Sequence, residues 1–312
     1  HGSPLGAEEV RRTKTALGLN ADAHFFVPEA AREHCRRATA SGTHQYEAWC
    51  QLFAAYKAEH SDLAQTFSQA FRGELPSHWD SELPQFTQKE ALATRSASSK
   101  VIQPLARHIP YLMGGDADLG CSTLTVIEAE PSFAGISGLG RNLHYGVREH
   151  AMGAIGNGML YHGGLRPFVA TFFVFADYMR PALRLAALNH LPLICIFTHD
   201  SVALGEDGPT HQPVEHLMSL RCMPNMVVLR PADAQETREA WRYALLRRDG
   251  PTALVLTRQK LPVLGAPCAK AEGLHQGAYV LWQSQQQSPQ AILIATGSEV
   301  HLALASARRL EQ

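Results

Sequence analysis

The stretch GEDGPTHQP, residues 205–213, sets Glu206, Asp207 and His211 around a Gly-Pro turn, and it follows THDSVAL at 198–204. Imidazoles and carboxylates grouped this way can move protons or bind a polar ligand. Asp207-Gly208-Pro209 is strong turn chemistry, so the chain folds back and brings Glu206, Asp207 and His211 toward His199 and Asp200. A humbler use is open to each residue: capping the next helix and satisfying loop backbone. A Ser-His-Asp hydrolase is excluded, because His199, Asp200 and Ser201 are consecutive and adjacent side chains cannot bond head to tail as a triad. No G-x-S-x-G elbow occurs either.

Two further groups could carry chemistry. In HYGVREHAMGAIGNGMLYHGG, Glu149 lies near the first turn of an apolar, small-residue helix. A buried carboxylate there is costly without a partner, which Arg148, the helix N-terminus or a ligand could supply. In TFFVFADY, Phe172, Phe175 and Tyr178 recur every three residues, which predicts an aromatic stripe on one side of a helix. Such a stripe serves a core or a ring-binding pocket. GAIGNG and GISGLG hint at phosphate loops, but neither has the strand-loop-helix spacing, and G-K-[ST] is absent. Close helix packing is the expected use of Gly153, Gly156 and Gly158.

These residues must be positioned by alternating elements. PFVATFF, LPLICIF, NMVVLRP and TALVLTR read as strands, separated by helix-length segments such as DAQETREAWRYALLRRDG. That alternation predicts an α/β fold, a parallel sheet with helices on both faces. In such sheets, ligands sit at the carboxyl ends of the strands, where THDSVALGEDGPTHQP begins. Residues 7–71 are amphipathic helical sequence, and Pro76 and Pro84 punctuate a connection. A second connection, LPVLGAPCAKAEGLHQG, leads to AYVLWQS and AILIATGSEVHLALASARRL, read as a strand and then strand-turn-helix. The expected division is 1–85, 86–265 and 266–312.

Composition narrows the partners. The 312 residues carry 28 Lys plus Arg against 29 Asp plus Glu, so no basic footprint for nucleic acid or an anionic membrane is expected. The longest apolar run, 191–197, is far short of the ~20 residues of a membrane span. Six cysteines without C-x-x-C spacing suggest a reduced, cytoplasmic protein with neither disulfides nor a zinc site. The uncapped ends suggest a piece of a longer chain.

Taken together, GGDADLGCSTLT, HYGVREHAMGAIGNG, TFFVFADY, THDSVALGEDGPTHQP, RPADAQE and PTALVLTRQKLP resemble, in order and spacing, the middle, pyrimidine-binding domain of the transketolase family of thiamine-diphosphate enzymes. The resemblance covers residues 91–265. HGSPLG at 1–6 is similar to a loop of that family's N-terminal domain, whose G-D-G…N-N motif for metal and diphosphate is absent here.

The resemblance implies transfer of a two-carbon ketol unit from a ketose phosphate to an aldose phosphate, in the pentose phosphate pathway, through a covalent adduct with the cofactor. It implies thiamine diphosphate with Mg2+ or Ca2+, the metal being held by the N-terminal part. Glu149 would share a hydrogen with the cofactor's pyrimidine nitrogen, with Phe172, Phe175 and Tyr178 enclosing that ring and Asp118 complementing the thiazolium. His1 and His211 would serve the substrate's C1 and C2 oxygens, and Asp207 would hold a hydroxyl. Arg95, Ser122, His199 and Arg258 would grip the phosphate. A homodimer with shared active sites is implied. Two other readings are a dihydroxyacetone or deoxyxylulose-phosphate synthase on the same scaffold, and a non-catalytic subunit.

Overall fold

The computed structural model describes residues 2–134, 138–284 and 289–311. Two compact units divide the chain, His1–Ala64 and Gln65–Gln312. In the first, α1 (Gly6–Ala16) and α2 (Glu29–Glu59) bury no residue. Acidic residues in their first turns and lysines in their last complement the helix dipole. Tyr46, Trp49 and Phe53 stack along α2 at three- and four-residue spacing. Helix α3 (Ser61–Arg72) leads onward.

The second unit runs β1 (Ala91–Ala93), α4 (Thr94–His108), β2 (Leu112–Asp116), α5 (Gly120–Thr123), β3 (Asn142–His144), α6 (Glu149–His162), β4 (Arg166–Phe172) and α7 (Ala176–Leu188). It continues with β5 (Ile194–Thr198), α8 (His216–Arg221), β6 (Val227–Leu229), α9 (Ala234–Leu246), β7 (Thr252–Leu256), β8 (Lys260–Pro262) and α10 (Glu299–Glu311). Six strands form one parallel sheet in the order β3-β2-β4-β5-β7-β6, and β1 pairs antiparallel with β8. The α/β fold expected from the alternating pattern is thus present.

Strand residues alternate between two apolar layers. Ile194 and Ile196 of β5 face one layer with Leu105 of α4 and Trp241 of α9. Cys195 and Phe197 face the other with Met152 of α6 and Leu183 of α7. This period of two, with both faces covered, is what makes the strands read as continuous apolar runs. Trp241, fully buried, keeps its indole N–H satisfied by donating to Ser98 Oγ at 2.8 Å. A reciprocal cap starts α9: Asp233 accepts from Glu236 N at 2.8 Å, and Glu236 accepts from Ala232 N at 2.6 Å.

Three expectations need correction. Phe172, Phe175 and Tyr178 do not share a helix: Phe172 ends β4, Phe175 lies in a 3-10 turn, and Tyr178 alone is in α7. The chain turns at Phe172 because the sheet's edge is reached there. No strand is formed over AYVLWQS or AILIAT among the described residues; only the helix, α10, appears. Gly153 and Gly156 do serve packing, as a Cβ would lie 2.8 Å from Met179 and from Leu193 respectively, but nothing lies within 4 Å of one at Gly158. GISGLG lies partly outside the described residues. No described helix is long and apolar enough to cross a membrane.

Candidate active site

In an open parallel sheet, a crevice forms at the carboxyl edge where successive connections diverge. Here the chain passes from β2 to β3 at one side, then crosses back to β4 on the other side of β2. Divergence therefore falls between β2 and β4. Asp118 follows β2, Glu149 opens α6 after β3, Phe172 ends β4, His199 follows β5 and Arg258 follows β7.

Arg95 reaches this edge from the first turn of α4. It is held there by two reciprocal bonds: Thr94 N donates to Thr257 Oγ1 at 3.0 Å, and Thr257 N donates to Thr94 Oγ1 at 2.7 Å. Each threonine immediately precedes one of the two arginines. The contact therefore fixes the backbones carrying Arg95 and Arg258 to one another. Burial, and secondarily the charge of Arg258, lower the Arg95 guanidinium from its usual range. Among the described residues, no carboxylate forms an ion pair with either arginine. Arg95 Nη1 donates to the Ser122 carbonyl at 2.6 Å, while its Nε is buried without a partner. Together they make a cationic pocket lacking its counter-ion, which suits a dianion.

His199 is buried beside this pair, in left-handed backbone with φ of 59°. Arg95 Nη1 approaches its Nε2 at 3.5 Å, and Thr198 Oγ1 lies 2.9 Å from Nδ1. A guanidinium only donates, so Nε2 accepts and the ring hydrogen sits on Nδ1. Burial, then Arg95 and Arg258, push the imidazole down to about 4, against the pull of Asp207. At neutral pH it is uncharged.

An aromatic wall continues from His199. Phe172 stacks on it with centroids 3.7 Å apart, and Phe175 follows 6.0 Å from Phe172 with rings inclined by 9°. His211 meets both edge-on, at 6.0 and 5.4 Å. Its Nδ1 lies 2.9 Å from Thr210 Oγ1. Tyr178 stands 6.2 Å beyond Phe175 but is 66% exposed, so it forms a rim instead of a wall. Asp207 is exposed on the turn, where Gly208 adopts φ of 80°, a region glycine enters without steric cost.

Glu149 is buried at 7% exposure, the first residue of α6. Arg148 does not pair with it; that guanidinium donates to the Tyr145 carbonyl at 3.2 Å. Among the described residues, the Glu149 carboxylate has no hydrogen-bond or ion-pair partner. By its i, i+4 spacing, it shares the face of α6 that Gly153 presses against Met179 and Ala182 of α7. Asp118, exposed and at φ of 65°, and the Ser122 side chain lie at the same edge without bonding to the His199 group. His1 lies outside the described residues.

Asp200 is not part of the cluster. Its side chain is fully buried and accepts from Arg230 at 2.7 and 2.8 Å, while Arg230 also pairs with Glu299 of α10. A carboxylate this deeply buried needs a cation, and Arg230 supplies it. Thr94, Thr257 and Arg230 escaped the reading of the sequence, although the repeated Thr-Arg pairs in ATRSA and LTRQK were a usable signal.

Three transketolase family models match the chain. The transketolase pyrimidine-binding domain matches residues 90–263, the transketolase thiamine-diphosphate-binding domain matches 1–76, and the transketolase-like C-terminal domain matches 277–312. The transketolase of Geobacillus stearothermophilus is 51% identical over 97% of this chain, and that of Bacillus subtilis 49% over 97%, each aligned over 46% of its own length. Among solved structures, transketolase from Leishmania mexicana superposes with a TM-score of 0.91 at 41% identity, over 99% of this chain and 46% of that one. Transketolase from Pichia stipitis in complex with sedoheptulose-7-phosphate gives 0.92 at 40%, over 100% and 46%. The chain thus spans about half the length of the relatives it matches, and it belongs to the transketolase family.

Proposed function

We propose that the whole protein transfers a two-carbon ketol unit from a ketose phosphate to an aldose phosphate, with thiamine diphosphate and a divalent ion, Mg2+ or Ca2+, as cofactors. The observation that carries this reading is Glu149, a carboxylate at the start of α6 that has no protein partner and whose oxygens, in a residue only 7% exposed, are not sealed off from the crevice. A ring nitrogen that shares a hydrogen with it would supply the partner that this chain does not. When bound, thiamine diphosphate supplies an acidic thiazolium carbon and an electron sink for the transferred unit.

The chain's own residues do the rest. Glu149 holds a hydrogen at the pyrimidine nitrogen. Phe172 and Phe175 offer flat faces to that ring and exclude water from it, with Tyr178 at the rim. Asp118 complements the cationic thiazolium. Arg95 and Arg258 take the substrate phosphate, joined by Ser122. His199, being neutral, adds no competing charge and steadies Arg95 through Nε2. His211 keeps Nε2 for the substrate's C1 and C2 oxygens, aided by His1, and Asp207 accepts from a sugar hydroxyl.

A homodimer with the site at its interface fits the exposed apolar residues near this edge: Val147 at 75%, Tyr178 at 66%, Val202 at 62% and Val214 at 79%. The divalent ion is assigned to residues outside this chain. A coupled assay of the whole protein with xylulose and ribose phosphates tests the proposal. Turnover dependent on added thiamine diphosphate is expected, and none in its presence refutes it.

A further inference from the structure

His216, the first residue of α8, is buried although it follows directly on the exposed Val214 and Glu215. Both ring nitrogens are engaged. Val214 N donates to Nδ1 at 3.3 Å, and Nε2 lies 3.1 Å from Asp177 Oδ2 in the first turn of α7. Because Nδ1 accepts, the ring hydrogen is on Nε2 and is donated to Asp177. The ring also rests on Phe173 at 5.8 Å.

Asp177, Glu215 and His216 are near enough to suggest metal ligands. A metal on Nε2 would move the ring hydrogen to Nδ1, where it would confront the Val214 N–H, donor against donor. The backbone therefore disfavours a metal there and favours a donated hydrogen bond.

The two ends of this contact matter. Asp177 sits between Phe175 and Tyr178, and Val214 ends the segment that carries Asp207 and His211. We propose that the His216–Asp177 hydrogen bond is a latch that fixes the 205–215 loop to the start of α7, making His216 and Asp177 positioning residues for His211 against the Phe172–Phe175 wall. Lateral slack of the loop would move His211 off that wall, where it now meets both rings edge-on. Asp177 is half exposed, with a side-chain exposure of 54%, so the bond is not needed to satisfy the carboxylate. Its consequence is geometric. The kinetic part of the inference rests on the proposed ketol transfer; the structural part does not.

The test uses the whole protein with thiamine diphosphate and Mg2+. Asp177→Ala and His216→Leu should each lower kcat for ketose-phosphate conversion about tenfold, as misplacement of a reacting group does. The double variant should lose no more than either single one. His216→Gln, whose amide N–H reaches the same distance from Cβ, should restore most of kcat. In parallel, hydrogen exchange by mass spectrometry should show faster exchange of the 205–215 peptides in Asp177→Ala, with the thermal midpoint within a few degrees of wild type. Wild-type exchange in that variant overturns the latch whatever the activity. Normal kcat in both single variants, or additive losses, overturns the positioning role. An inactive wild type refutes the ketol-transfer proposal instead, and the exchange measurement still decides the latch.

Discussion

Replacing Arg95 with alanine probes the cationic pocket at its most constrained point. Arg95 Nη1 is committed to the Ser122 carbonyl and to His199, while its Nε is buried and unpartnered. The donors left for an anion are few, so the loss is about that of one charge-assisted contact. That is about 1.5–3 kcal/mol, or roughly 10- to 150-fold in KM for phosphorylated donors. An unphosphorylated ketose loses no such contact and should change KM less than about threefold. The same substitution removes a cation from His199. Its proton affinity should rise from the present value of about 4 yet stay below the ordinary histidine range, because burial is the larger cause and persists. Steady-state kinetics of the whole enzyme with paired phosphorylated and unphosphorylated donors reads the first effect. Equal rises in KM for both donors would refute the phosphate role.

Further outcomes are expected. His199 binds its proton in the unfolded chain near 6.5 but in the fold only near 4, so the unfolded chain holds more protons between those values. Its contribution is complete above pH 6.5 and is lost as pH falls toward 4, by roughly 3 kcal/mol. Urea unfolding of wild type and His199→Gln at pH 7 and 4.5 should show the smaller acid loss in the variant, and parallel losses would contradict the burial argument. Thr257→Val leaves the Thr94 N–H without its acceptor and should cost about 1–3 kcal/mol, with a raised KM for phosphorylated donors that Thr257→Ser restores. Arg230→Met isolates the buried Asp200 charge and should cost about 3–5 kcal/mol, read as a lowered urea midpoint; an unchanged midpoint would show that the pair contributes no stability.

Four of the six sheet strands were legible: β4, β5 and β7 are buried throughout and read as apolar runs, and the half-buried edge strand β6 still reads Val-Val-Leu. β2 was hidden by its own sequence, Leu112-Met-Gly-Gly-Asp116. A Cβ on Gly115 would strike the Leu143 carbonyl oxygen and one on Gly114 the Phe168 carbonyl oxygen, so the fold demands residues that lack strand propensity there. The GEDGPTHQP turn was readable from local chemistry, and it does bring Asp207 and His211 to His199. Asp200 was not, because its partner Arg230 is thirty residues away, after β6, and the two meet only across the intervening β7. The aromatic series had helical spacing but is split across a strand end, a 3-10 turn and a helix, a break that periodicity of three conceals.

The central claim is that Glu149 serves a ring nitrogen with a shared hydrogen. Glu149→Gln in the whole protein, assayed for ketol transfer at saturating thiamine diphosphate, measures it most directly. The amide cannot give up its hydrogen in the same way, so kcat should fall at least about 100-fold while the thermal midpoint stays close to wild type. A variant that turns over at near the wild-type rate would contradict the account.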